Sequence, residues 1–178
     1  GGLGVNYDVP ENEPIPNFAS LFSIIHNYLS VGDKAPSFRA ENQSGEVVAL
    51  EDFAGKKVIL YFYPKDNTSG CTAEACSLRD GYRELTDMGF VVVGVSPDSV
   101  KSHVGFINKH SLPFTLLSDA DHAIAESYGT WGLKKFMGRE YYGIIRKTFI
   151  IDQNGVIEKI FEKVDTKKHF EQISDSYK

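Results

Sequence analysis

The chain has 178 residues, 42% of them hydrophobic and 24% charged, the composition of one ordinary globular domain with a sizeable core. A formal net charge of -5 with both signs interspersed, and no run of Lys or Arg, argues against a nucleic-acid surface. Two cysteines are too few for a disulfide-stapled scaffold, and the longest apolar run outside the predicted strands, residues 18–29, is too short and too interrupted to cross a bilayer.

Residues 1–17, rich in Gly, Pro, Asn and Glu, predict an extended or poorly ordered stretch. Its acidic, proline-bearing character is also wrong for a secretory signal. Phe18, Leu21, Phe22, Ile25, Tyr28 and Leu29 then recur at helical spacing behind Asn17, a good N-cap. Residues 1–30 therefore read as an N-terminal extension that ends in a short amphipathic helix, packed on the domain or on a second subunit. From residue 31 to 178 the pattern is α/β. Two short strands are expected around the Ser44-Gly45 turn. The run KVILYFYP, residues 57–64, reads as a central strand buried on both faces that stops at Pro64. A helix is expected from about Cys71 to Met88, ended by Gly89, then a buried strand at 90–96 and a helix over 99–110. A third strand at 114–119 and a short helix ending at Gly129 follow. Two strands, 144–152 and 156–164, flank Gln153-Asn154-Gly155, since Asn-Gly is the strongest hairpin signal. A last helix begins near Thr166. Parallel crossovers first and antiparallel strands last give a thioredoxin-like fold, with a central mixed sheet flanked by helices.

The chemistry concentrates in YPKDNTSGCTAEACSLRD, residues 63–80. A buried strand ends at a proline, a polar loop follows, and Cys71 lands in the first turn of the next helix. There the partial positive charge of the helix N-terminus favours a thiolate, the nucleophilic form of cysteine. The backbone N–H groups of Gly70 and Cys71 are placed to receive an incoming oxygen, and glycine leaves room for close approach. Thr68 adds a hydroxyl able to orient the sulfur or a substrate. A lone cysteine is by default a small buried apolar residue, but this setting, at the carboxyl end of a sheet, is where α/β sites lie. Cys76 lies five residues on, about 8–9 Å away along an ideal helix and about 140° around it. A disulfide needs Cα atoms about 4.4–6.8 Å apart, so the two cysteines can bridge only if the helix unwinds locally. The bland alternative for Cys76 is a core cysteine facing the sheet. Zinc is disfavoured by the spacing and by the lack of a second cysteine pair. All five histidines read as structural or solvent-exposed.

From about Val31 to Ile173 the sequence resembles the peroxiredoxins, and within them the bacterioferritin-comigratory or Q-type subfamily. Pro64, Thr68 and Cys71 in PKDNTSGC fit the family's Pro-x-x-x-Thr-x-x-Cys signature, and residues 112–119, 128–144 and 146–152 are similar to further subfamily segments. Ser69 departs from the subfamily, which usually has proline there. The resemblance implies that Cys71 is the peroxidatic cysteine, Cys76 the resolving one, and that Pro64 shields the pocket from water. It also gives a role to Arg146, whose bland reading is an outward-facing strand residue: a cation aimed at Cys71, binding thiolate and peroxide. Glu74 pairs with Arg146 or simply complements the helix N-terminus. The implied activity is a thiol-dependent peroxidase acting on hydrogen peroxide and organic hydroperoxides. A Cys71–Cys76 disulfide would be reduced by thioredoxin or a similar dithiol.

No cofactor is expected, because the sulfur carries both electrons. The subfamily implies a monomer or weak homodimer. The expected compartment is the cytoplasm, with a reduced organelle or periplasm-like space left open. Two other readings stand beside this one. A thiol-disulfide oxidoreductase normally uses Cys-x-x-Cys, which the spacing does not match. A non-enzymatic redox sensor would be oxidised once rather than turn over.

Overall fold

The structure, a computed structural model, describes residues 29–178. The expected helix of the N-terminal extension lies outside the described residues, apart from Leu29, which packs against the core.

Strands β1 (Arg39–Asn42) and β2 (Val47–Ala49) form the expected hairpin around Gly45. β3 (Lys57–Phe62) follows, then helices α1 (Ser69–Asp80) and α2 (Tyr82–Asp87), and β4 (Phe90–Ser96). Helix α3 (Val100–His110), capped by the Ser99 hydroxyl, leads to β5 (Thr115–Ser118) and the short α4 (Ala123–Ser127). β6 (Trp131–Phe136), β7 (Arg139–Ile144), β8 (Lys147–Ile151), β9 (Ile157–Phe161) and α5 (His169–Asp175) complete the chain. The main sheet runs β2-β1-β5-β4-β3-β8-β9, with β3, β4 and β5 parallel and its other pairings antiparallel. This is the mixed thioredoxin-like sheet expected.

β3 explains why its sequence is apolar without interruption. Val58, Leu60 and Phe62 point into one core beside α4, whereas Ile59 and Tyr61, with Tyr63 just beyond, point into a second core beneath α1, α3 and α5. Both faces are covered, so no charged position survives beyond Lys57 at its start.

Three expectations need correction. The single helix over 71–88 is two helices, broken at Gly81. A Cβ built there would sit 2.1 Å from the ring of Phe170, which enters the gap from α5. Gly81→Ala should therefore lower stability by about 1–3 kcal/mol, read as a drop in thermal midpoint. The strand expected over 144–152 is interrupted: β7 ends at Ile144, β8 starts at Lys147, and Arg146 sits in the joint between them. The two-stranded sheet β6-β7 was not anticipated at all. It stands apart from the main sheet, with Leu133, Phe136, Met137 and Tyr142 each at least half exposed. Trp131 and Ile144 at its base meet the core, but most of its length is exposed on both faces, so the segment carries no alternation for a sequence reading to find.

Candidate active site

α1 begins at Ser69 with Thr68 as its cap residue, two residues earlier than expected, so Cys71 is the third residue of the helix and still in its first turn. The backbone carbonyl of Thr68 accepts the first helical bond from Thr72 at 2.8 Å. The buried stripe of α1 is Cys71, Glu74, Ala75 and Leu78, a spacing that turns one face to the sheet. Cys71 is 1% exposed, Cys76 is half-buried on another flank, and both are free thiols.

Arg146 reaches this face from the joint between β7 and β8. Its Nη2 donates to the Cys71 sulfur at 3.3 Å and its Nη1 to the Glu74 Oε1 at 2.5 Å. One planar guanidinium thus bridges two groups one helical turn apart, a use to which its fork is suited and an ammonium is not. The choice left open for Glu74 resolves to the pairing with Arg146. Gly70 allows this approach, since a Cβ there would meet Arg146 Nη2 at 3.3 Å.

The carboxyl of Glu74 is fully buried, and burial pushes its pKa up to about 7 although the Arg146 guanidinium and its hydrogen bond pull it down. Near neutral pH it exchanges between an ion pair and a neutral acid. Burial lowers the pKa of Arg146 itself, but Glu74 and Cys71 together more than offset this, and the net shift is upward. Oε2 of Glu74 has no hydrogen-bond partner and faces Nε2 of the fully buried His169 at 3.7 Å. His169 is held by Thr148 and Gln172 at 2.8 and 2.9 Å, and burial lowers its pKa to about 4.

Thr68 is exposed, and its hydroxyl donates to the Lys65 carbonyl at 2.8 Å, which leaves its lone pairs free to accept from a ligand. Pro64 is half-buried in the same loop. The loop turns through Asn67 in the left-handed region, φ 65°, a conformation that asparagine tolerates better than most residues.

Sequence reasoning missed what pins this loop. Asp66 accepts from Tyr63 at 2.6 Å and from Ser102 at 2.8 Å, and meets His103 Nδ1 at 2.7 Å. The other nitrogen of His103 faces the Leu117 carbonyl at 3.0 Å. Both ring nitrogens of this fully buried histidine therefore have partners, which fixes the ring in place. Asp66, Asp98 and His103 lie close enough to ligate a cation, but Tyr63, Ser96 and Ser102 already occupy them, and the cluster acts as a clamp. Of the remaining histidines, His122 stacks on Trp131 with centroids 3.8 Å apart, His110 stands beside Cys76, and His26 is outside the described residues. Also missed was Lys134 of β6. Burial, then the repulsion of Arg146, lowers its pKa, while Cys71 opposes the shift, so the unforeseen hairpin brings a second cation within electrostatic range of the sulfur.

The buried Cys71 sulfur thus lies between the start of a helix and a guanidinium, two positive ends that converge on it. No helix among the described residues is long and apolar enough to cross a membrane.

The AhpC/TSA family profile matches residues 31–160. The putative peroxiredoxin bcp of Haemophilus influenzae is 53% identical over 149 residues, spanning 84% of this chain and 96% of that protein. Peroxiredoxin Bcp of Bacillus subtilis is 45% identical over 150 residues, with the same two coverages. A solved structure of Xylella fastidiosa PrxQ covers 84% of this chain and 96% of its own, with a TM-score of 0.79 and 28% identity. With its fold, its family signature and its relatives in agreement, the chain belongs to the AhpC/TSA family and, within it, to the Bcp or Q-type peroxiredoxins, thiol-dependent peroxidases.

Proposed function

We propose that Cys71 is the peroxidatic thiolate and Cys76 the resolving thiol of a peroxidase acting on hydrogen peroxide and organic hydroperoxides. The observation that carries the assignment is the 3.3 Å contact from Arg146 to the Cys71 sulfur.

The Cys71 thiolate attacks the terminal peroxide oxygen. An S–O bond forms, the O–O bond breaks, and the leaving oxygen takes a proton to depart as water or alcohol. Sulfur has been oxidised by two electrons to a sulfenic acid. Arg146 and the N–H groups at the start of α1 stabilise the charge developing on the peroxide oxygens, with the Thr68 hydroxyl available as a further ligand. Pro64, lacking an N–H, limits water at the pocket without competing for the sulfur.

Cys76 then attacks the Cys71 sulfur, and the S–O bond is replaced by S–S with loss of water. An intact α1 keeps the two sulfurs on different flanks, so its first turns unwind. Oxidation itself favours this: neutral sulfenic acid no longer offers Arg146 an anion, and one tie holding the turn weakens. A dithiol of the thioredoxin type reduces the disulfide, and the helix reforms. The reading extends to one catalytic domain over residues 31–178, acting in the cytoplasm as a monomer or weak homodimer.

The test is continuous turnover with thioredoxin, its reductase and NADPH. Cys71→Ser should abolish peroxide consumption, whereas Cys76→Ser should still be oxidised once but fail to cycle with thioredoxin. Turnover surviving in Cys71→Ser would falsify the scheme, and a single stoichiometric oxidation of the wild type would make the protein a sensor.

A further inference from the structure

The two cysteines differ in what prepares them to react. Cys71 has the N-terminus of α1 and the Arg146 guanidinium, and neither reaches Cys76 in the middle of the helix. A resolving thiol still has to lose its proton, because the thiolate is the attacking species and an ordinary thiol is only a few per cent ionised at pH 7.

The sulfur of Cys76 lies 3.9 Å from Nδ1 of His110, within reach of a weak S–H···N hydrogen bond. His110 is the last residue of α3 and is half-buried. Its ring stands edge-on to Phe106 with centroids 5.3 Å apart. Its carbonyl accepts from Nη1 of Arg79 at 2.8 Å. Arg79 follows Cys76 by three residues, so one flank of α1 holds His110 at the backbone and meets it at the ring. The charged and titratable groups meeting His110 are thus Cys76 and Arg79 of α1, the latter paired with Asp80 at 3.0 Å, with Lys109 before it on its own helix. Among the described residues, Asp80 is the carboxylate in this group of neighbours, and Arg79 already engages it, so Nδ1 of His110 faces the Cys76 sulfur.

We infer that His110 is the general base of the resolving step, an inference that rests on the resolving role of Cys76. With its proton on Nε2, the imidazole accepts the Cys76 proton at Nδ1 while α1 is still folded. The thiolate so formed attacks the Cys71 sulfur as the helix unwinds. The S–S bond forms as the S–O bond breaks, and the hydroxide displaced combines, directly or through solvent, with the proton that His110 took. No external oxidant or reductant enters.

The test separates the two chemical steps. The reduced full-length protein is mixed with one equivalent of hydrogen peroxide, quenched with acid at intervals, alkylated and weighed by mass spectrometry. In His110→Gln the sulfenic acid should form at the wild-type rate. The Cys71–Cys76 disulfide should form about tenfold more slowly at pH 7, inside the limit of about thirtyfold set by the few per cent of a thiol ionised without help. The deficit should close by pH 9, where an ordinary thiol ionises unaided, and added imidazole should restore the rate of His110→Ala at pH 7. Equal disulfide rates in His110→Gln and wild type at pH 7 overturn the inference, and so does a deficit that persists unchanged to pH 9, the mark of a merely structural role. Failure of the wild type to form the disulfide would instead remove the resolving role of Cys76.

Discussion

Arg146→Met is expected to slow oxidation of Cys71 by two to three orders of magnitude, the loss typical when one preorganised donor is taken from a site of developing negative charge. Among the described residues, the guanidinium is the one side chain that donates to the Cys71 sulfur, at 3.3 Å, and it is held there by Glu74 at 2.5 Å. Lysine at this position keeps the charge but cannot span both partners, so Arg146→Lys should recover only part of the rate. Loss of the cation also strands Glu74, a buried carboxyl that lies near neutrality even when paired. It responds by taking up a proton, so the cost in stability should be small below pH 7 and grow above it. Adding Glu74→Gln to Arg146→Met should restore stability at high pH without restoring the rate, which separates the chemical role from the structural one. Rapid-mixing kinetics with hydrogen peroxide give the measurement, and an Arg146→Met rate within threefold of wild type would remove Arg146 from the mechanism.

How much of this was legible in the sequence differs from residue to residue. The sheet was readable because burial on both faces leaves an unbroken apolar run, as at β3, and because Asn154-Gly155, with Gly155 at φ 80°, encodes its turn locally. Cys71 was readable for the same reason: strand, polar loop and helix start are all local signals. Arg146 carried a local oddity, a cation in an apolar run, but only the family resemblance said where it pointed. The pairs that fix the site are nonlocal. Asp66 and His103 are 37 residues apart, Glu74 and Arg146 72, and Cys76 and His110 34, and no spacing rule connects them. The break at Gly81 likewise depends on Phe170, a ring that arrives from the far end of the chain. His169 looked like any other histidine in a polar C-terminal helix, yet it is fully buried against Glu74.

The burial of these two groups has a measurable consequence in the pH dependence of stability. Glu74 rises from an ordinary 4.5 to about 7 on folding, so the native state holds its proton where the unfolded chain has released it. Its contribution is full below pH 4.5 and is lost as pH rises through 7, about 3 kcal/mol at 1.36 kcal/mol per pH unit. His169 falls from 6.5 to about 4, so there the unfolded chain binds the extra proton. Its contribution is full above pH 6.5 and is lost as pH falls through 4, again about 3 kcal/mol. Between about pH 4.5 and 6.5 the native pair carries one proton, on Glu74, and the unfolded pair also carries one, on His169. The two slopes cancel, and this site leaves the wild-type stability nearly flat in that window. Single substitutions uncover the hidden slopes with opposite signs. Glu74→Gln leaves the His169 contribution, and stability should climb as pH rises from 4.5 to 6.5. His169→Gln leaves the Glu74 contribution, and stability should fall over the same range. Urea unfolding of both variants at half-unit pH intervals reads the slopes directly. Parallel profiles in the two variants would show that burial of Glu74 and of His169 does not make these opposite contributions.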